Sequence, residues 1–253
     1  MTLQSVIEEN EVPKSWAIYI DIEGFSANYS RDSGRVIAGL RSLMEGIYWI
    51  GTNFCAERSK RLCAFQAGDG FFIDSEYGSP DVAIAIAVLL MRNALLVGAL
   101  TRVGISEGEC VGISGWRPDI IRQKAENDRV RIGAGLMFLF PVMGSAYINA
   151  HKMTKAADKG CLLLIDTDLA RRASVGSNVL PNSEGCNAID WIHSDSAEIR
   201  QIAEVANMSL EVSGTLERRL QEEAREAASN FPSEKRLQSE EWLRNTLKLN
   251  HCE

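Results

Sequence analysis

The chain has 253 residues, of which 45 % are apolar and 24 % are charged, a composition typical of a folded globular protein rather than a disordered one. Its length allows one substantial apolar core with a smaller appended region. The formal charge of −7 argues against a nucleic-acid-binding protein, which would usually present a basic surface. An anionic ligand must therefore be held by a few local cations, backbone amides or metal ions.

The six cysteines are scattered, form no CxxC pair and never cluster with histidine at ligand spacing. Together with the absence of a secretory signal at the N-terminus, this pattern predicts reduced thiols in a cytoplasmic protein and no structural zinc site. Residues 82–91 are continuously apolar, but this run is about half of the roughly 20 residues that a membrane-spanning helix needs. We therefore predict a buried helix here and no membrane partner.

The first half of the chain predicts a strand, a helix and a hairpin in that order. Residues 16–22 are rich in β-branched and aromatic side chains, which favours a mostly buried strand. Apolar residues then recur every three or four positions over 33–50, which predicts an amphipathic helix. Residues 61–67 and 71–74 predict two strands joined by a tight turn at Gly68-Asp69-Gly70.

The next part of the chain predicts a helix that begins at Ser79-Pro80, followed by further strands. We predict a strand pair at 101–113, a polar excursion at 116–131, a buried strand at 135–143, a helix at 146–158, and strands at 161–165 and 187–192. This order of elements predicts an α+β fold, in which helices cover one antiparallel-rich sheet.

From about Ala197 the composition changes to strongly charged segments with a narrow apolar stripe. The stripe is formed by Leu216, Leu220, Ala224, Ala227 and Phe231. A last helix is predicted at 234–249. We therefore divide the chain into a main domain, 1–196, and a helical C-terminal extension, 197–253. The stripe would pack on the core, pair with its copy in a dimer, or bind a partner.

Two aspartates are the strongest candidates for chemistry. Asp21 ends the first strand, and Asp69 sits at the tip of the hairpin turn. If the two strands are neighbours, both carboxylates converge on one edge of the sheet. Hard divalent cations such as Mg²⁺ and Mn²⁺ take one or two carboxylates plus substrate phosphates. The alternative is that both aspartates serve only as turn residues, which is a common use of Asp.

Four stretches in order resemble the class III nucleotidyl cyclases: Asp21-Ile22-Glu23-Gly24-Phe25-Ser26, Gly68-Asp69-Gly70-Phe71-Phe72, Arg102 to Gly108, and Met143-Gly144-Ser145-Ala146. The resemblance covers about residues 16–165. It implies a class III cyclase-like fold for 1–196 as the catalytic domain, and two divalent ions, Mn²⁺ or Mg²⁺, in each site.

The resemblance also implies roles for individual residues. Asp21, Ile22 and Asp69 would belong to the metal site. Glu23, Gly24 and Phe25 would hold the triphosphate through their backbone amides. The family works as a head-to-tail dimer with active sites at the interface, so 116–131 would be a dimerisation arm; its composition fits a solvated surface loop equally well.

The chain departs from the family where the purine base is read. The two positions that carry polar base-reading residues in the family are Phe65 and Pro141 here, so neither can make the expected contacts. Phe65 would stack on a base or fill the core.

A second departure concerns the Asn and Arg that orient the ribose and stabilise the pentavalent phosphate in the family. An ungapped alignment places Ile148 and Lys152 at these positions, whereas a one-residue shift places Asn149 and Met153 there. We assign Lys152 as the catalytic cation and Asn149 as a ribose contact; a solvated lysine on the helix surface fits Lys152 equally well. Lys cannot grip phosphate with the bidentate geometry of Arg.

A class III-like core without the purine-reading residues resembles the bacterial pyrimidine cyclases of the Pycsar anti-phage system. This resemblance implies a homodimeric cyclase that converts UTP to cyclic UMP, with CTP as an alternative, and an effector protein that responds to the product. The competing hypotheses are an adenylate cyclase and a degenerate cyclase-like module that binds a nucleotide or a partner without turning it over.

Overall fold

The computed structural model describes residues 14–56, 61–75, 79–156, 159–174, 179–181 and 185–250. Its strands are Lys14–Ile22 (β1), Leu62–Ala67 (β2), Gly70–Ser75 (β3), Thr101–Glu109 (β4), Val111–Gly112 (β5), Arg129–Ile132 (β6), Gly135–Phe138 (β7), Val142–Met143 (β8), Leu163–Asp166 (β9), Val179–Pro181 (β10) and Cys186–Ile189 (β11). Seven of them form one sheet in the order β10-β11-β9-β4-β1-β3-β2. All neighbouring strands in this sheet are antiparallel except β4 and β9.

The helices are Phe25–Tyr29 (α1), Ser33–Trp49 (α2), Pro80–Leu96 (α3), Asp119–Lys124 (α4), Ser145–Ala156 (α5), Thr167–Arg172 (α6), Ala197–Val205 (α7), Ser213–Ser229 (α8) and Arg236–Lys248 (α9). A π-helical turn, Ile50–Cys55, continues α2. The predicted α+β fold with an antiparallel-rich sheet and covering helices is confirmed. Residues 157 and 158 of the predicted helix 146–158 lie outside the described residues.

One face of the sheet carries the main core. In β1, alternate side chains (Trp16, Ile18, Ile20 and Ile22) point to this face, as the two-residue period of a strand requires. They pack with α3, whose residues 82–91 are all buried. The prediction of a buried helix here is confirmed. In the part of the chain that the structure covers, no helix is both long and apolar enough to cross a membrane.

The opposite face of the sheet is covered at its centre by α5, which packs across β4 and β1. Ala17 of β1 contacts Ala146 and Tyr147 of α5 on this face. The approach is close because β4 has glycine where the helix crosses: a Cβ at Gly104 would lie 2.3 Å from the carbonyl oxygen of Ala150. The same face carries Tyr19 and Asp21, so α5 forms one wall beside them.

Residues 110–143 lie outside the seven-stranded sheet. They include the predicted excursion, 116–131, and the whole stretch 110–143 is called the arm from here on. Strands β6 and β7 pair only with each other, and β8 pairs with β5. The prediction of a buried strand at 135–143 is wrong, because Phe138 is 69 % exposed and Leu136 is also exposed. The apolar side chains of this stretch reflect a surface of the arm and not the core of the domain.

The C-terminal extension packs on the main domain. Leu216, Leu220 and Ala224 of the predicted stripe are buried in the same core cluster as the β1 side chains. Trp242 of α9 joins that cluster and is 3 % exposed. Of the three contacts considered for the stripe, the structure shows the first: the stripe packs on the core of its own chain.

Arg92 of α3 is a buried cation that ties the helix to the chain after β11. Its guanidinium donates to the carbonyl oxygens of Trp191, Ile192 and Ser194 at 3.0, 3.0 and 2.5 Å. Burial lowers the pKa of Arg92 to about 10, with Asp195 and Asp190 opposing the shift.

We expect Arg92→Met to lower the free energy of unfolding by about 2–4 kcal/mol, because three buried carbonyl groups lose their donor. Urea unfolding followed by circular dichroism measures this loss. Arg41→Met, at an exposed position of α2, is the matched control and should change the stability little. Equal losses in the two variants would contradict the structural role of Arg92.

Candidate active site

Asp21 and Asp69 are brought together by the pairing of β1 with β3. In the strand register Asp21 faces Gly70, the residue after Asp69, and Asp69 lies in the turn between β2 and β3. Gly70 is required at this crossing, since a Cβ there would lie 2.7 Å from the Ile20 carbonyl oxygen and 3.1 Å from the Asp21 Cβ. The predicted convergence of the two aspartates at one edge of the sheet is what the strand register produces.

The carboxylate of Asp21 is buried, with only 8 % of the residue exposed. The Lys155 ammonium lies 3.6 Å from its Oδ2. Burial raises the pKa of Asp21; Lys155 and Arg102 oppose the shift, and the charge of Asp69 adds to it. Asp21 is thus a buried carboxyl group whose charge interacts with two cations of its own chain and with a second carboxylate.

Tyr19 lies two residues before Asp21 in β1 and therefore points to the same face of the sheet. Burial raises the pKa of Tyr19, and the charges of Asp21 and Asp69 raise it further. The Tyr19 side chain thus lies beside the two carboxylates.

The donor set fits a hard divalent cation. The Oδ1 atom of Asp21 is buried and has no hydrogen-bond partner within the described part of the chain, so one carboxylate oxygen is left for a cation. No group of three or more His, Cys, Asp or Glu side chains occurs among the described residues. A cation at Asp21 and Asp69 would therefore complete its shell with backbone, water and substrate oxygens, as Mg²⁺ usually does.

Ile22 buries its side chain in the main core, on the face opposite to the Asp21 carboxylate. Only its backbone is therefore placed to contribute to the predicted metal site. The prediction for Ile22 therefore concerns its backbone carbonyl oxygen.

The predicted triphosphate loop begins directly after β1. Gly24 has a φ of +69°, which lets the chain turn sharply into α1 at Phe25. The Glu23 amide donates to the Leu100 carbonyl oxygen at 2.9 Å. This amide is therefore engaged with the protein in this conformation, which leaves the turn at Gly24 and Phe25 as the part that faces a ligand.

The Glu23 side chain is turned inward. Its Oε1 accepts a hydrogen bond from the Trp242 indole nitrogen at 3.2 Å. Burial raises the pKa of Glu23, and the guanidinium of Arg102 opposes the shift. A contact between residues 219 positions apart could not be read from local sequence patterns.

The two predicted base-reading positions line one cleft of about 480 Å³ between β2 and the arm. Phe65 packs against Phe72, Phe140 and Tyr147, with ring centroids 5.2–5.6 Å apart. Phe65 and Pro141 are the residues predicted from sequence, and the cleft also contains polar groups of Gln66, Asn127 and Arg129.

Helix α5 places the predicted residues Lys152 and Asn149 on its exposed side. Lys152 forms no ion pair with Asp21 or Asp69 of its own chain. The ring of His151 lies edge-on to Tyr19 at 4.8 Å, and Lys155, which pairs with Asp21, follows one turn later. Burial lowers the pKa of His151, and the neighbouring Lys155 lowers it further.

Sequence reasoning assigned no role to Lys155 or His151. Helical spacing contains the signal: His151 and Lys155 follow Tyr147 at intervals of four, and Tyr147 donates a short hydrogen bond to the buried Asp74. These three residues share the face of α5 that meets the sheet.

No family model matches the chain, and no curated protein matches it. Among solved structures, two of a bacterial light-regulated adenylyl cyclase are similar. The first has 10 % identity and a TM-score of 0.47 over 83 % of this chain and 60 % of that chain. The second has 11 % identity and a TM-score of 0.46 over 79 % and 58 %.

A class III adenylyl cyclase-like ATP-binding protein from Pseudomonas aeruginosa is also similar, with 13 % identity and a TM-score of 0.38 over 83 % of this chain and 45 % of that chain. The chain thus spans less than two thirds of the length of each of these proteins. At these values the likeness assigns neither a substrate nor a reaction to the chain.

Proposed function

We propose that this chain is a nucleotidyl cyclase that converts a pyrimidine nucleoside triphosphate, UTP in preference to CTP, to its 3′,5′-cyclic monophosphate and pyrophosphate. The observation that carries the proposal is the strand register that places Asp21 opposite Gly70, next to Asp69, together with a buried Asp21 oxygen that has no donor among the described residues. The sequence around both aspartates supports the reaction type, since it resembles the metal motifs of class III cyclases.

The chain would hold two divalent ions, Mn²⁺ or Mg²⁺, through Asp21, Asp69 and the backbone of Ile22; such ions lower the pKa of the ribose 3′-hydroxyl and neutralise the phosphates. In this structure the Lys155 ammonium pairs with Asp21 at 3.6 Å. With divalent ions bound to Asp21, Lys155 would be positioned to contact phosphate oxygens instead.

The 3′-oxygen attacks the α-phosphorus in line, the bond to the leaving pyrophosphate breaks, and the hydroxyl proton passes to solvent. The contribution of the protein is positioning and stabilisation of charge, because phosphoryl transfer requires little covalent chemistry from side chains. The Gly24–Phe25 turn binds the triphosphate, and Lys152 stabilises the charge of the pentavalent phosphate.

The proposed pyrimidine preference rests on the cleft at Phe65 and Pro141. Neither side chain offers the hydrogen bonds with which the family reads a purine, and the Phe65 ring packs against other aromatic rings. A base in this cleft would stack on apolar surface and hydrogen-bond to Gln66, Asn127 or backbone groups.

The product, cyclic UMP, would act as a messenger for an effector protein in anti-phage defence.

We propose a homodimer with active sites at the interface. The arm exposes seven large apolar side chains, and exposed apolar surface suits contact with another protein. They are Trp116, Ile120, Ile132, Leu136, Phe138, Phe140 and Met143. In the dimer, Lys152 and Asn149 would serve the Asp21 site of the partner, which is consistent with their exposure on α5.

The second candidate function is a degenerate module that binds a nucleotide without turnover. Two observations favour it: Lys155 already pairs with Asp21, and the predicted cation Lys152 forms no ion pair with either aspartate of its own chain. Both proposals require a triphosphate site, and they differ only in the release of pyrophosphate.

Incubation of the purified protein with each of the four ribonucleoside triphosphates and Mn²⁺, followed by mass spectrometry, separates these functions. We expect cyclic UMP and pyrophosphate in equal amounts. Binding of a triphosphate without pyrophosphate release would support the degenerate module. Cyclic AMP as the dominant product would contradict the pyrimidine preference and leave the cyclase reaction standing.

A further inference from the structure

We infer that the C-terminal extension completes the triphosphate site: Trp242 of α9 is a positioning residue that holds the Glu23–Gly24 turn in the conformation that binds the phosphates. This inference rests on the proposed function, because it assigns a task to the turn after β1. It gives the extension a role in the reaction beyond covering the core.

The turn is held from two sides. The Glu23 amide donates to Leu100, which fixes the backbone against the start of β4. The Glu23 carboxylate accepts from the Trp242 indole at 3.2 Å, which fixes the side chain against α9. Gly24 follows directly and has a positive φ. Because Gly24 is bonded to Glu23, the way in which Glu23 is held also positions the peptide that begins the turn.

Helix α9 is itself anchored, so Trp242 has a defined position relative to the sheet. The Cys161 amide donates to the Thr246 hydroxyl oxygen at 3.0 Å, and the Asn250 side chain donates to the Cys161 carbonyl oxygen at 3.2 Å. Asn245 donates to the carbonyl oxygen of Lys159 at 3.0 Å. These bonds tie α9 to the segment that leads into β9.

Because β9 pairs with β4, and β4 pairs with β1, this anchoring returns to the strand that ends at Asp21. Trp242, Leu100 and Asp21 therefore belong to one framework. Within this framework the Trp242 indole N–H donates to Glu23. It can thereby set the position of the loop at the metal site, as supporting hydrogen bonds orient ligating groups.

The indole N–H is the chemical group that matters. Packing alone could be supplied by another ring, since Trp242 also lies 6.2 Å from the Phe231 ring. Glu23 is partly buried, and the charge of Arg102 also acts on its carboxylate. Loss of the indole donor therefore removes one of the interactions that fix the side chain, so that the carboxylate and the turn that follows it gain freedom to move.

Trp242→Phe tests the inference because it keeps a ring and removes only the N–H. Trp16→Phe is the matched control, since Trp16 is equally buried and its indole N–H has no hydrogen-bond partner among the described residues. The probe is α,β-methylene-UTP with Mn²⁺, measured by calorimetry. We expect Trp242→Phe to weaken binding about tenfold, and Trp16→Phe to leave it unchanged even if it lowers stability to the same extent.

A double-mutant cycle with Glu23→Ala adds a second readout. Coupled residues give a double variant that binds no more weakly than the weaker of the two single variants, whereas independent losses add. Amide hydrogen exchange gives a third: the Glu23 amide should exchange faster in Trp242→Phe than in wild type or Trp16→Phe. Equal binding and equal exchange in Trp242→Phe and wild type would overturn the inference.

Failure of the proposed function is distinguishable from failure of the inference. If the wild type binds the analogue but forms no cyclic product from any triphosphate, the cyclase proposal fails and the binding data still decide the role of Trp242. If the wild type does not bind the analogue, the triphosphate site fails, and with it the assignment of Trp242 to that site.

Discussion

Replacement of Asp21 by Asn is expected to lower the rate of cyclic nucleotide formation by about three orders of magnitude, the size of effect that loss of one preorganised charge-stabilising group produces. Asn keeps the shape of the side chain and removes its charge, so the variant should fold. Removal of a buried carboxylate beside Tyr19 and Lys155 even relieves a desolvation cost. We expect Asp69→Asn to have a similar effect on the rate.

The measurement is product formation at saturating Mn²⁺, together with Mn²⁺ binding followed by electron paramagnetic resonance. Both should be lost together in Asp21→Asn. The matched control is Asp168→Asn, which neutralises an exposed carboxylate in α6. A variant of Asp21 that retains full activity would exclude metal catalysis at this site.

The aspartate pair could be predicted from sequence because each part of it is local. A strand that ends in Asp21 and a glycine-flanked turn at Asp69 are both visible as short patterns. Their convergence needs only that β1 and the hairpin be neighbours in the sheet, as strands close in sequence usually are. The two strands can approach closely because residue 70 is glycine and has no Cβ.

The arm shows where a sequence pattern fails. Residues 135–143 have the apolar character of a core strand, but a buried strand and an apolar surface that meets another molecule have the same composition. Periodicity does not distinguish them, because it reports which face is apolar and not what covers that face. The structure places Leu136 and Phe138 on the surface, with no sheet beyond them in the described residues.

The supporting residues around Asp21 were not predicted because their contacts are distant in sequence. Lys155 reaches Asp21 only because α5 crosses β4 at Gly104, and Trp242 reaches Glu23 only because α9 is tied to Cys161. A periodic pattern can place a residue on a face, but the partner across that face follows from the packing of whole elements.

The second prediction with a large expected effect concerns Lys152. Lys155, three residues later, approaches Asp21 within the same chain, whereas Lys152 is exposed and forms no ion pair with that aspartate. In the proposed dimer, Lys152 stabilises the pentavalent phosphate in the site of the partner. Lys152→Ala should then lower the rate about a hundredfold while leaving Mn²⁺ binding unchanged, since no metal ligand is altered.

Mixing two inactive variants tests this arrangement. In a heterodimer of Asp21→Asn and Lys152→Ala chains, one site combines the intact Asp21 of one chain with the intact Lys152 of the other, and the second site carries both defects. An equal mixture after subunit exchange should recover about a quarter of wild-type activity, because half of the dimers are mixed and each has one working site.

Lys155→Met is the control for this experiment. Because Lys155 and Asp21 belong to the same site of the same chain, every site in a mixture of Asp21→Asn and Lys155→Met chains keeps one of the defects, and no activity should return. Recovery with Lys152→Ala but not with Lys155→Met would show that two lysines on one helix serve different sites. No recovery with either variant would place Lys152 outside the partner's site and leave Lys155 as the cation nearest to the phosphates.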